Sequence, residues 1–189
     1  ETKTIENYLQ VLQEMLLSER NQTTAKTKTD LLRFTEKIKK QADTLAKTRQ
    51  MTVSVREIPE NCLENFVLDM EEESIYRAWM NIIANSVEYG KEGGRIRLTV
   101  CIEEEQTIFV TEDDGPGFSE EELFRGTEQF YRGDKSRGQR NHYGMGLAIA
   151  SRFVEQQGGR LCLENSDAMG GAQVTISLLK KSRRDCEKK

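Results

Sequence analysis

The sequence predicts an α+β fold: a two-layer sandwich in which helices cover one face of a mixed, mostly antiparallel sheet. Three observations predict it. All 14 glycines lie after residue 89, so the first half is glycine-free and helical in pattern, while the second half alternates strands, glycine turns and helices. The elements run helix, strands, helix, hairpin, loop, helix, hairpin. The last four strands come as two short-turn pairs, which makes each pair antiparallel.

Residues 4–19 carry Ile5, Tyr8, Leu9, Leu12, Met15 and Leu16, a narrow stripe at helical spacing. Such a stripe suits either a seam against a partner helix or a terminal helix packed on its own domain. Residues 21–29 (NQTTAKTKT) are polar and read as a linker. Asp30 is placed to cap a second helix, whose apolar face is Leu31, Phe34, Ile38, Ala42 and Leu45. Met51–Ile58 alternates as a strand and is stopped by Pro59, and Phe66–Met70 reads as a short strand. Glu71–Tyr89 is a strong helix, acidic in its first turn, with Gly90 just past its end. Arg95–Ile102 and Thr107–Glu112 are strands around the turn 103–106. Ser119 and Glu122 form a capping box for a short helix at 120–125. Residues 126–142 are too polar and glycine-broken for a core element. A last helix runs from about Gly144 to Gln157, and Leu161–Glu164 and Gln173–Leu179 close the sheet. The tail 181–189 is charged.

Composition removes several function classes. The chain has 189 residues, with 28 Lys+Arg against 32 Asp+Glu, and this acidic balance argues against general nucleic-acid binding. No apolar run is long enough for a membrane span and no signal peptide is visible. The chain starts at Glu1 rather than Met, which suggests a fragment or a processed product. Cys62, Cys101, Cys162 and Cys186 have no CxxC spacing, and one His in the chain argues against a Cys/His zinc site. Cys101 and Cys162 sit in apolar alternating runs and read as buried small hydrophobes in a reducing compartment. His142 alone also rules out most histidine-based catalysis.

Four segments carry chemistry. In Asn81–Tyr89 (NIIANSVEY), Asn81, Asn85 and Glu88 share one helix face, while Trp79, Ile82, Ile83 and Val87 take the other. An Asn oxygen is a neutral, hard ligand suited to Mg²⁺, which keeps waters and shares phosphate oxygens; the plain alternative is a solvated polar face. Asp113-Asp114-Gly115-Pro116-Gly117 follows a strand. An Asp at a strand end can accept a hydrogen bond from an exocyclic amine such as that of adenine, and glycines admit a flat ligand closely. A simple turn is the alternative. A calcium loop fails, because register on Gly115 puts Val110 at the first ligand position. Tyr143-Gly144-Met145-Gly146-Leu147 opens a helix, where N–H groups and the positive helix end suit an anion. The dinucleotide fingerprint fails there, since Ile149 occupies the third glycine position and no strand precedes it, and no GxxxxGK[ST] occurs. Between these, Arg132, Lys135, Arg137 and Arg140 make a positive loop suited to phosphates.

Taken together, the order and spacing resemble the catalytic and ATP-binding domain of sensor histidine kinases of the GHKL superfamily, over residues 30–180. Residues 81–89 resemble the N box. Asp113–Gly117 matches the first glycine box, DxGxG. Residues 128–134 (EQFYRGD) are similar to the F box. Gly144-Met145-Gly146-Leu147 matches the second glycine box, and Gly170-Gly171-Ala172 the usual late glycine turn. The resemblance implies a GHKL (Bergerat-type) sandwich that binds ATP and Mg²⁺ under a lid at about 126–143, and a kinase that phosphorylates a histidine for a two-component phosphorelay. It implies that Asn85 ligates Mg²⁺, that Asn81 and Asn85 form the catalytic pair near the phosphates, and that Tyr89 closes the pocket. Asp113 then holds the adenine amino group above Gly115 and Gly117, and Gly144, Met145, Gly146 and Leu147 serve the phosphates together with Tyr131, Arg132, Lys135 and Arg140. Residues 1–20 become the end of a dimerisation helix. The partners implied are a histidine-containing dimerisation domain of the same kinase, a response regulator, a homodimeric partner in the full-length protein, and a membrane-anchored parent with this domain in the cytoplasm. Three departures stand out. Glu88 occupies a position usually held by Lys, Arg or His; His142 replaces a glycine; and no phosphoacceptor His-Glu or His-Asp motif is present, so a separate helical domain would have to supply it. An anti-sigma-factor-type serine kinase and a degenerate, non-catalytic interaction module are the two alternatives.

Overall fold

The computed structural model describes residues 26–56, 66–128, 131 and 145–180. Strand β1 (Thr27–Asp30) leads into helix α1 (Leu31–Ala46), closed by a single 3₁₀ turn at Lys47–Arg49. Then come β2 (Thr52–Val55), β3 (Val67–Met70), α2 (Glu72–Tyr89), β4 (Arg95–Ile102), β5 (Gln106–Asp113), α3 (Glu120–Arg125), α4 (Gly146–Gln156), β6 (Arg160–Asn165) and β7 (Ala172–Leu179). The main sheet has the order β2-β4-β5-β7-β6; β2 pairs in parallel with β4 and every other pair is antiparallel. The expected mixed, mostly antiparallel sandwich is therefore present.

Local chemistry sets the boundaries. The Asp30 side chain accepts from the backbone N–H groups of Leu32 and Arg33 at 3.0 and 3.1 Å, which fixes the start of α1. Ser119 and Glu122 make the reciprocal capping box at α3. Gly158, with φ of 75°, lets the chain leave α4 sharply.

Helices α1, α2 and α4 bury their apolar faces against one side of the sheet. Leu31, Phe34, Ile38, Ile75, Trp79, Ile82, Ile83, Phe153 and Val154 meet Ile96, Leu98, Val100, Phe109, Val174, Ile176 and Leu178 in one core. Trp79, Phe34 and Phe109 form an aromatic trio with ring centroids 5.1–6.0 Å apart, tying two helices to the central strand. The Trp79 indole donates to Thr111 Oγ1 at 2.8 Å, so the largest core side chain leaves no donor stranded.

Three expectations are corrected. The polar stretch 27–30 is a strand, part of the segment expected to be a linker; it pairs antiparallel with β3, Thr27 opposite Met70, in a separate two-stranded sheet. Backbone hydrogen bonds hold that ribbon, so it needs no apolar alternation of its own. Cys101 is exposed and Cys162 only half-buried. Both have the parity of the face opposite the helices, whereas Ile96, Leu98 and Val100 have the covered parity. Helix α4 begins at Gly146, inside the expected start at Gly144. The expectations for residues 4–19, the lid apart from 126–128 and 131, Pro59, His142, Cys62, Cys186 and the tail lie outside the described residues.

Candidate functional site

Helix α2 runs with its apolar stripe on the core and delivers Asn81, Asn85 and Glu88, all half-buried, along one flank. The amide nitrogen of Asn81 is buried and has no hydrogen-bond partner among the described residues. An orphaned polar atom of this kind costs about 1–3 kcal/mol unless a ligand or water meets it. Asn85 faces the start of α4. A Cβ placed on Gly146 would lie 3.2 Å from Asn85 Oδ1 and 3.5 Å from its Nδ2. The missing side chain thus lets the first turn of α4 close onto that amide. Among the described residues no side chain caps α4 at Met145, so none of them accepts from the helix's first N–H groups.

Strand β5 ends at Asp113, whose side chain is only 4% exposed as a residue. Its Oδ1 accepts from the N–H groups of Gly115 at 3.0 Å and Ala172 at 3.1 Å. Two backbone donors on one oxygen fix the carboxylate plane, and no described residue donates to Oδ2. The close approach depends on Gly171, where a Cβ would sit 2.3 Å from the Asp113 carbonyl oxygen and 2.5 Å from the Gly115 nitrogen. Backbone atoms cannot move aside, so only glycine fits. Gly117 takes φ of 69°, and a Cβ there would strike Asn165 Oδ1 at 2.7 Å. That same Asn165 clamps Phe118, accepting from its N–H at 2.7 Å and donating to its carbonyl at 2.9 Å.

The neighbouring Asp114 faces a different way. It accepts from Arg95 N at 2.8 Å and Nε at 3.1 Å, with Lys91 Nζ at 3.5 Å. Burial pushes its carboxyl up, but the hydrogen bonds from Arg95 and the charge of Lys91 outweigh that and hold it below its ordinary value. Glu112, one residue before Asp113, accepts from Ser166 Oγ at 2.6 Å and lies 3.7 Å from Arg97. The Ser166 hydroxyl oxygen in turn accepts from Met169 N–H, which holds the β6–β7 turn beneath Asp113.

The two ends of the site are joined. Gly90, just beyond Tyr89, has its Cα 3.4 Å from the Cβ position of Gly115. A continuous run of contacts therefore links Gly146, Asn85, the last turn of α2, Gly90, Gly115, Asp113 and Gly171. Tyr89 is 39% exposed at the rim. Met145 is buried and Leu147 packs on the core beside it. Tyr131 carries the Arg125 guanidinium 4.7 Å over its ring. Arg132, Lys135, Arg137, Arg140 and Gly144 lie outside the described residues. The motif reading overlooked Asn165; it is an ordinary strand-end residue in sequence, and only the turn of Gly117 reveals its role.

The family model for the histidine kinase-, DNA gyrase B- and HSP90-like ATPase matches residues 70–182. The chain belongs to that ATPase family. This ATPase domain is 33% identical over 174 residues to the sensor histidine kinase SpaK of Bacillus subtilis, a match covering 92% of this chain and 37% of the relative. The chain thus spans little more than a third of that relative's length. Among solved structures it resembles the mycobacterial sensor histidine kinase MprB, with a TM-score of 0.68, 22% identity, 82% of this chain and 98% of that one covered. The Acinetobacter baumannii histidine kinase AdeS also gives a TM-score of 0.68, at 18% identity, covering 92% of this chain and 77% of that one. At these identities the solved structures establish the shared fold of the ATPase domain. Among the described residues no helix is long and apolar enough to cross a membrane.

Proposed function

We propose that this ATPase domain binds Mg·ATP and presents its γ-phosphate to a histidine on a dimerisation domain of the same sensor kinase, for relay to a response regulator. The observation that carries this reading is the run of contacts from the Asn85–Gly146 junction to Asp113. It sets an amide and a helix N-terminus at one end, and at the other a buried carboxylate whose Oδ2 has no donor among the described residues. Asp113 Oδ2 receives the adenine amino group, with Gly115 and Gly117 against the base. Asn81, whose amide nitrogen lacks a partner among the described residues, meets phosphate oxygen. Gly144, Met145, Gly146 and Leu147 line the phosphates at the start of α4, and Tyr89 closes the rim. Tyr131, Arg132, Lys135 and Arg140 belong to a lid that supplies charge.

The donor set fits Mg²⁺. Asn85 offers one neutral oxygen, and no group of three His, Cys, Asp or Glu side chains among the described residues could hold a metal alone. Mg²⁺ suits such a site, taking one protein oxygen with the rest from phosphate and water. When bound, it neutralises charge on the phosphates. The chain's own residues bind, orient and screen, which is the protein's main task in phosphoryl transfer. Residues 30–180 form the catalytic unit, with β1 at its entrance, and residues 1–20 are the end of the dimerisation helix. The parent is a homodimer anchored in the cell membrane, with this domain in the cytoplasm.

A second reading, a non-catalytic module of the same family, is favoured by Glu88, a carboxylate on the flank that would face triphosphate. Thermal unfolding with ATP or GTP, with and without Mg²⁺, separates the two. Ligand at about 100 times its dissociation constant adds roughly 2.7 kcal/mol, an upward shift of about 5–10 °C for a domain of this size. A Mg²⁺-dependent shift with ATP alone supports the kinase reading; no shift with any nucleotide transfers support to the module.

A further inference from the structure

The C-terminal end of α2 presents its last carbonyls and the negative end of its dipole, yet its last turn contains no basic residue. The cation comes from elsewhere. Arg49, in the 3₁₀ turn that closes α1, donates from Nη1 to the Glu88 carbonyl at 2.7 Å and from Nη2 to the Gly90 carbonyl at 2.9 Å. Its own carbonyl accepts from Gly93 N–H at 3.0 Å. The planar fork thus spans the point where the helix stops and the chain turns toward β4. Gly90 is also the residue packed against Gly115. Arg49 therefore grips the joint between the helix bearing Asn85 and the loop that follows Asp113, while contacting neither Asn85 nor Asp113 itself.

We propose that Arg49 is a positioning residue of the nucleotide site: by fixing the last turn of α2 against the Gly115 loop, it sets the spacing between Asn85 and Asp113. This rests on the reading of the site as an ATP site. A ligand that spans both ends, base at Asp113 and phosphates at Asn85, is sensitive to that spacing. The two-pronged geometry is a property of guanidinium, and an ammonium replaces it only as a point charge.

The test is a titration-calorimetry series with Mg·ATP at a temperature where every variant is folded by far-UV circular dichroism. The series comprises the wild-type chain, Arg49→Gln, Arg49→Lys, Asn85→Ala and the double variant Arg49→Gln/Asn85→Ala. Arg49→Gln is expected to raise the dissociation constant about tenfold, and Arg49→Lys to recover only part of that loss. With Asn85 already removed, the same Arg49→Gln change is expected to cost less than threefold, because its effect runs through the placement of α2. A purely structural cap would lower the unfolding temperature and leave the folded protein's affinity alone. Affinity within twofold of wild type in Arg49→Gln, or an undiminished tenfold penalty in the Asn85→Ala background, overturns the proposal. If Arg49→Gln does not fold, Arg49→Lys carries the test: affinity equal to wild type overturns the positioning role. Failure of the wild-type chain itself to bind ATP would remove the site reading, a different result from wild-type binding with an indifferent Arg49.

Discussion

Replacing Asp113 by Asn isolates one atom of the site. The two acceptor contacts at Oδ1, from Gly115 N–H and Ala172 N–H at 3.0 and 3.1 Å, fix which way the new amide points. Its oxygen must stay on those donors, because the reverse orientation would set N–H against N–H twice. The amide nitrogen then replaces Oδ2 and turns an acceptor into a donor. An adenine amino group aimed there loses a hydrogen bond to a charged partner, about 1.5–3 kcal/mol, and two donors face each other at a residue that is 4% exposed, about 1–3 kcal/mol more. At about 1.4 kcal/mol per tenfold, the ATP dissociation constant should rise by roughly two to four orders of magnitude. Stability should hardly change, since volume and both backbone contacts are kept; about 1 kcal/mol lost would lower the unfolding temperature by about 2–4 °C. Inosine triphosphate has a carbonyl oxygen in place of the amine, so the variant should prefer it over ATP, opposite to the wild-type order. Calorimetric titration of both nucleotides into both proteins decides it. ATP affinity within threefold of wild type, or an unchanged base preference, would refute the assignment of Asp113 to the base.

Gln50 adopts φ of 54° at the turn after Arg49, a left-handed conformation unfavourable for a side chain. Gln50→Gly relieves about 1–2 kcal/mol of left-handed strain against about 0.5–1 kcal/mol of added chain entropy, a net gain of up to about 1 kcal/mol that should raise the melting temperature by about 2–4 °C; a fall would show that the exposed hydrogen bond from Gln50 Nε2 to Glu92 Oε1 at 2.7 Å dominates. The Asp114 carboxyl is held below its ordinary value of 3.8 by Arg95 and Lys91. Its contribution is thus fully present above that value and is lost as pH falls through the lower folded value. Asp114→Asn should flatten the acid limb of urea-midpoint measurements below about pH 4, and an identical acid limb in both proteins would contradict the ion-pair account.

Much of this architecture is legible because local rules act over a few residues. Asp30, Ser119 and Glu122 announce helix starts through oxygens that meet backbone N–H groups within one turn. The turns at 103–105 and 166–171 declare two hairpins. Asn81 and Asn85 share a face by helical spacing alone, and the apolar residues on the other side of α2 lead the helix to the core. What stays hidden depends on partners distant in sequence. Thr27–Asp30 has no strand pattern because its order comes from β3, some forty residues later. The exposure of Cys101 follows from which face of the sheet the helices cover, a fact alternation leaves open. Asn165 and Arg49 act on Phe118 and Gly90 across gaps of 47 and 41 residues, which no local motif encodes.

The order of the sheet also governs when the binding site can exist during synthesis. Strand β5 pairs with β4 through a short turn, but its other neighbour is β7, with Gln106 opposite Leu179. One of the two donors that fix Asp113 belongs to Ala172, and Gly171 closes on the same carboxylate. A ribosome releasing the chain from its N-terminal end therefore delivers α1, α2 and the first hairpin well before the surroundings of Asp113 are complete. The second donor to Asp113 is made 59 residues after the carboxylate it holds, so Asp113 is fully set only after β7 begins to pair. Until then the unpaired edge of β5 is open to other strands, and the β6–β7 hairpin both seals that edge and completes the setting of Asp113.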